Sequence, residues 1–181
     1  MTDSSNLASD RELVRSLIRD VPDFPSPGVV FRDVAGVLGD GAGFQAAIRG
    51  LATVASQLGE FDLVAGMEAR GFMFGAPLAT LLGVGFVPVR KAGKLPPPVL
   101  GATYELEYGS ATLEVRDGTI PDGAKVLVLD DILATGGTAA AGVDLLHRAG
   151  ADVVGLVFLL EIEALAGRDR LVGHEVHALL T

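Results

Sequence analysis

The chain has 181 residues, 49% of them hydrophobic, enough for one domain with a sizeable core and too apolar for a disordered chain. Its 14 Lys and Arg stand against 23 Asp and Glu, a net charge of −9, so nonspecific nucleic-acid binding is disfavoured and an anionic ligand must be held by local donors. There is no cysteine for disulfide or thiolate chemistry, the N-terminus is polar, and no apolar run approaches the ~20 residues of a membrane span, so a cytoplasmic protein without membrane contact is expected.

Residues 1–8 read as a flexible tail. Ser9 and Glu12 have the spacing of a capping box, opening a helix with Leu13, Leu17 and Ile18 on one side that ends near Asp20. Three prolines between Pro22 and Pro27 forbid a helix and stiffen the loop up to Gly28. Val29 to Val34 is a short extended segment, in which Phe31 is either core or a platform for a ligand. Gly43 to Gly59 is the clearest helix, with Phe44, Ile48, Leu51, Ala55 and Leu58 at helical spacing and Gly59 as its stop.

Asp62 to Gly66 is a strand, and Glu68-Ala-Arg-Gly-Phe then opens a helix. An arginine and a glycine at a helix start make an anion site with a bidentate guanidinium; the alternative is that Arg70 pairs with Glu68. Gly85 to Arg90 is the next strand. Arg90, Lys91 and Lys94 put three cations within five residues, either as a solvated basic loop or facing a phosphate. Ala102 to Val115 alternates as a hairpin turning at Gly109-Ser110, with Glu105 and Glu107 on one face.

Lys125 to Leu129 is an apolar strand, followed by Asp130 and Asp131, then Ala134-Thr-Gly-Gly-Thr138, then helical spacing through Val143 and Leu146. Glycine lets the backbone turn and approach a ligand closely. Successive loop N–H groups and a helix N-terminus hold an anion without any lysine, and Thr135 and Thr138 add hydroxyl donors. Two carboxylates repel phosphate but accept from a vicinal diol and can hold a hydrated Mg²⁺. A sugar phosphate satisfies both halves. Asp152 to Leu160 is a further buried strand, Ala164 to Leu171 a short helix, and Gly173 to Thr181 an edge strand. His174 and His177 lie three apart in that strand and face opposite sides, against a metal pair. There is no internal repeat.

Val126 to Thr138 resembles the phosphoribosyl pyrophosphate (PRPP) signature of the type I phosphoribosyltransferases. Phe24 to Asp33 resembles the base loop of their adenine branch, Glu68 to Phe72 the pyrophosphate loop, and Tyr104 to Gly109 the hood. The resemblance covers about Phe24 to Arg170 and implies a single domain over 1–181: an α/β fold with a parallel sheet flanked by helices and a mobile hood hairpin over 94–113. It implies purine salvage, with PRPP and adenine giving AMP and pyrophosphate with Mg²⁺. PRPP would be held by Arg70, Lys91, Asp130, Asp131, Ala134, Thr135, Gly136, Gly137 and Thr138. The base would be stacked by Phe31, read by the main chain of Val30 and Arg32, and covered by Ile162. Arg70 and Glu107 would be catalytic, and Tyr108 would close the hood. Mg²⁺ would be held through PRPP and water, with Asp130 and Asp131 the nearest carboxylates. The resemblance also implies a non-proline cis peptide at Glu68–Ala69, and a homodimer in which Lys91 reaches the partner's PRPP. Strands alternating with helices would independently set Asp130 and Asp131, Glu68 and Arg70, and Arg90 and Lys91 at the carboxyl ends of strands. The rivals are a phosphoribosyltransferase for another base, such as a 6-oxopurine, and a PRPP-binding regulator without catalysis.

Overall fold

The structure, a computed structural model, describes residues 4–105 and 110–181. Its centre is the strand β7 (Lys125–Leu133), in which Val126, Leu127, Val128 and Leu129 are all buried. A strand buried on both faces reads as a continuous apolar run, because each face meets a separate core. Val126 and Val128 face one core, shared with Val143, Leu145 and Leu146 of the helix α5 (Gly137–Arg148). Leu127 and Leu129 face the other, shared with Leu51 and Val54 of α3 (Gly41–Ala55) and with Phe74 and Leu78 of α4 (Arg70–Leu82).

On one side of β7 lies β3 (Leu63–Met67), then β4 (Gly85–Lys91); on the other lie β8 (Asp152–Glu161) and β9 (Val176–Leu180). These five strands are parallel. Beyond β4, the hairpin of β5 (Val99–Glu105) and β6 (Ser110–Arg116) pairs antiparallel. The seven-stranded sheet is therefore mixed rather than wholly parallel. A hairpin needs no crossover helix, so it adds to the open edge of β4 antiparallel. Glu105 pairs with Ser110, which places Ser110 in a strand and not in the turn.

Three boundaries depart from the periodicity. Helix α1 (Ser4–Leu17) begins at Ser4, inside the expected tail and before the Ser9 box. Leu7 packs against the second core, extending the apolar stripe by a turn. Asp10 is buried and takes Nε (3.2 Å) and Nη2 (2.5 Å) of Arg49 on α3. The helix then stops at Leu17, because Arg19–Pro22 (β1) pairs antiparallel with Val30–Asp33 (β2), with Val21 opposite Phe31. Third, α3 starts at Gly41 behind Asp40, whose side chain accepts from Gly43 N at 2.7 Å, and a 3-10 turn carries it to Gly59. There φ is +81° and ψ −154°, a conformation open to glycine that ends the helical run. A short helix (α2, Ala35–Gly39) precedes α3. The segment after β8 forms two 3-10 turns, Glu163–Leu165 and Gly167–Arg170. No helix is long and apolar enough to cross a membrane among the described residues. Among the same residues, no group of three His, Asp or Glu side chains is arranged to hold a metal.

Candidate active site

Three of the chemically suggestive stretches lie at the carboxyl ends of parallel strands. The ends of β3, β4 and β7 open into one cavity of about 360 Å³. Its lining includes Glu68, Arg70, Lys91, Tyr104 and the run from Asp130 to Ala139. Strand β7 continues past the acid pair to Leu133, so Asp130 and Asp131 sit on extended backbone rather than in a loop. Successive strand residues point to opposite sides, which separates the two carboxylates' surroundings. Asp130 Oδ1 accepts from the Asp131 backbone N at 2.9 Å. Asp131 is buried, and its Oδ2 lies 2.6 Å from Arg70 Nε. The N–H of Arg70 does not aim along that line, so Oδ2 is ion-paired yet accepts no hydrogen bond.

Burial, and then the charge of Asp131, push the Asp130 carboxyl well above its ordinary value. Burial also raises Asp131, against the opposing pull of Arg70. Two adjacent carboxyls held this way attract a proton, a cation or hydroxyl donors. A buried acceptor without a donor and a second carboxylate beside it suit a divalent cation carried in mostly by other oxygens. Two such ligands do not form a closed protein cage.

The phosphate-type loop follows at once. Gly136 has φ +78°, and α5 begins at Gly137. The backbone N–H groups of this turn and of the first helical residues have no intrahelical partner and face an anion site. Tyr104 of β5 brings its hydroxyl to 3.3 Å from Thr138 Oγ1.

At β3 the Glu68–Ala69 peptide is cis, as the resemblance implies, and α4 begins at Arg70. Glycine follows because a Cβ at Gly71 would meet the Leu129 carbonyl oxygen at 2.9 Å and Asp130 Oδ1 at 3.0 Å. The missing side chain lets the start of α4 press against the end of β7. Glu68 does not pair with Arg70. Its carboxylate takes Nε and Nη2 of Arg90, both at 3.3 Å, and the Lys91 backbone N at 2.8 Å. The Arg90 hydrogen bonds hold Glu68 below its ordinary pKa. Arg90 is thus committed to a carboxylate, and it also donates to the Lys94 carbonyl at 3.4 Å. Of the three cations in that stretch, only Lys91 lines the cavity.

The base loop comes from β2. Phe31 meets Phe24 edge to face at 5.2 Å, and the Arg70 guanidinium lies 5.2 Å from the Phe31 ring centroid. Val30 is exposed, and the Arg32 side chain is ion-paired with its cross-strand neighbour Asp20. Arg32 and Ile162 do not line the first cavity. They line a second one of about 500 Å³, beside Glu161 and Glu163. Glu107 and Tyr108 lie outside the described residues. Tyr104 was not legible as a site residue. The only local signal for Tyr104 is a tyrosine on the inward phase of a strand, whose hydroxyl needs a partner when covered.

A seven-stranded sheet with an acid pair and a glycine–threonine turn at the tip of the central one of its five parallel strands is the plan of a phosphoribosyl transferase domain, and the family model of that description matches residues 36–176. That match starts after β2, so the base loop lies outside the matched residues. An adenine phosphoribosyltransferase of Thermobifida fusca is 53% identical over 170 residues, covering 93% of this chain and 96% of the relative. The crystal structure of adenine phosphoribosyltransferase from Thermoanaerobacter pseudethanolicus superposes with a TM-score of 0.90 at 46% identity, covering 94% of this chain and 98% of that one. The Saccharomyces cerevisiae enzyme, complexed with an imino-altritol bisphosphate and adenine, gives 0.91 at 40% identity over 96% and 99%. The chain belongs to the adenine phosphoribosyltransferase family.

Proposed function

We propose that this enzyme serves purine salvage by transferring the phosphoribosyl group of PRPP to adenine, releasing pyrophosphate and forming AMP. The observation that carries the reading is the single cavity with a cation-free phosphate turn at residues 134–138, an acid pair beside it, and Arg70 and Lys91 completing its lining. That order of charges matches phosphate, ribose diol and pyrophosphate in one substrate.

In this reading the N–H groups and hydroxyls of Thr135 to Thr138 bind the 5-phosphate. Asp130 and Asp131 accept from the ribose hydroxyls, and Arg70 and Lys91 take the pyrophosphate. As the bond from the ribose carbon to pyrophosphate lengthens, the sugar gains oxocarbenium character. The carboxylates stabilise that charge from fixed positions, and Arg70 holds the departing anion. Mg²⁺ bound with PRPP would supply further neutralisation of the pyrophosphate, with Asp130 and Asp131 the residues that would hold it. Phe31 and Ile162 sandwich the purine, while the main chain of Val30 and Arg32 reads its edge. A carbonyl accepting from the 6-amino group and an N–H donating to N1 would oppose a 6-oxopurine by on the order of 10⁴-fold. Glu107 assists proton movement at the purine, and Tyr108 closes the hood against water. The enzyme is proposed to work as a cytoplasmic homodimer.

The test is pyrophosphate release from PRPP and Mg²⁺ with adenine, hypoxanthine, guanine, xanthine or no base. Turnover with adenine alone is expected. Turnover with a 6-oxopurine would retain the PRPP site and discard the base-loop assignment. Silence with every base would leave a PRPP-binding protein.

A further inference from the structure

The phosphate turn is backed by a segment some thirty residues further along the chain, about residues 167–170. A Cβ on Gly136 would meet the Gly167 carbonyl oxygen at 2.3 Å, and one on Gly167 would meet the Ala134 carbonyl oxygen at 2.2 Å. Two glycines thus interlock the turn with the 3-10 turn Gly167–Arg170. The same segment is braced by Arg168, whose Nε and Nη2 bind the buried Glu161 at 2.7 and 2.6 Å and whose Nη1 binds the Val176 carbonyl at 2.7 Å. What this bracing delivers is Arg170. Its Cβ would stand 3.3 Å from a Cβ on Gly136, and its Nη1 3.6 Å from one on Gly137. Arg170 is exposed, and no acidic side chain among the described residues pairs with it. By contrast, residues 134–138 carry no charge of their own. The cavity lining holds three carboxylates, Glu68, Asp130 and Asp131, against two cations, Arg70 and Lys91, in a chain of net charge −9.

We propose that Arg170 is a positioning cation for the phosphate end of the substrate, held beside the Gly136–Gly137 backbone by the glycine interlock and acting on a sugar phosphate through its field. The inference rests on the proposed function. It predicts an effect on phosphate affinity without an effect on the chemical step, because the guanidinium lies beside the loop and does not line the cavity.

The experiment is a charge series, Arg170→Lys, Arg170→Gln and Arg170→Glu, read by calorimetric binding of ribose 5-phosphate, by the KM for PRPP and kcat with adenine, and by Tm. An exposed side chain can be changed without unfolding the chain, and Tm checks that. Expected is wild-type behaviour for Lys, a loss of affinity of about threefold to tenfold for Gln at low salt, and a larger loss for Glu. The KM for PRPP should follow, kcat should stay constant, and the differences should shrink in high salt. Equal affinities across the series would overturn the inference. So would a Lys variant as weak as Gln, since packing and not charge would then be at work. A wild-type chain that bound no ribose 5-phosphate and turned over no adenine would remove the proposed function and this inference together. Wild-type activity with a flat series removes the inference alone.

Discussion

Arg70 Nε stands 2.6 Å from Asp131 Oδ2 without donating to it along its N–H direction. The guanidinium is held at Asp131 by charge, and its other face lies over Phe31. One side chain, itself assigned to pyrophosphate, therefore touches the groups assigned to ribose and to base. A better acceptor, a pyrophosphate oxygen, can draw it away, and Asp131 is then free to accept from a hydroxyl. Arg70→Gln should lower kcat/KM for PRPP by about 10²-fold or more, in line with the loss of one group that meets developing charge. Steady-state kinetics with adenine saturating check this, and a loss under fivefold would remove Arg70 from the pyrophosphate site.

Asp130 gives a prediction of opposite sign for stability and function. Its folded pKa is raised by burial and then by Asp131, above an ordinary value of 3.8. The folded state then holds the proton more tightly than the unfolded chain does. Stability is highest below that ordinary value and falls as pH rises through the folded pKa, so at neutral pH this carboxyl is a cost. Asp130→Asn keeps an acceptor for the Asp131 N–H and removes the charge. It should raise Tm at pH 7, with the gain closing towards pH 4, while PRPP turnover falls steeply. A lower Tm at pH 7 would refute the strain assigned to this pair.

Glu68 has the reverse sign. Hydrogen bonds from Arg90, and then from the Lys91 backbone, hold its pKa below the ordinary 4.5. The stability it adds is fully present above that value and disappears as pH falls through the lower folded pKa. Glu68→Gln should therefore lower Tm at neutral pH, with the two proteins converging in acid. It should also raise the KM for PRPP, because Glu68 joins the loop before Arg70 to the strand that carries Lys91. Parallel Tm profiles of the two proteins from pH 3 to 8 decide the point.

What the sequence revealed depended on distance along the chain. The run from Lys125 to Thr138 was legible because strand, acid pair and turn follow one another, and each is marked by its own residue chemistry. The placing of Arg70 at a helix start was legible for the same reason, whereas the cis peptide at Glu68–Ala69 was implied only by the family resemblance. The end of α1 was not, because Arg19–Pro22 finds its partner in Val30–Asp33 and leaves the helix to make that pairing. The sequence offered only Arg70 as a partner for Glu68, since Arg90, its actual partner, arrives on the next strand. The Tyr104–Thr138 contact joins residues 34 apart. Local pattern carries no information about which distant element will lie alongside.

Gly167 is the sharpest case of such a contact. Nothing about a glycine after Ala166 marks it, yet its Cα leaves no room for a methyl against Ala134 O and Leu133. Its φ is not in the left-handed region, so alanine is acceptable to the backbone and the effect comes from the contact alone. Gly167→Ala must push the Ala134 carbonyl, and with it the turn that carries Thr135 and Gly136. A displacement of about 1 Å at a positioned group can cost on the order of 10²-fold. The expected result is a folded protein with kcat/KM for PRPP reduced by about 10- to 100-fold and weakened ribose 5-phosphate binding. Gly173→Ala serves as the control: its φ is +91° but no atom stands within 4 Å of the added methyl, so it should lower Tm and leave the KM for PRPP unchanged. If Gly167→Ala bound ribose 5-phosphate like the wild type, the turn would owe its shape to its own residues and not to the segment behind it.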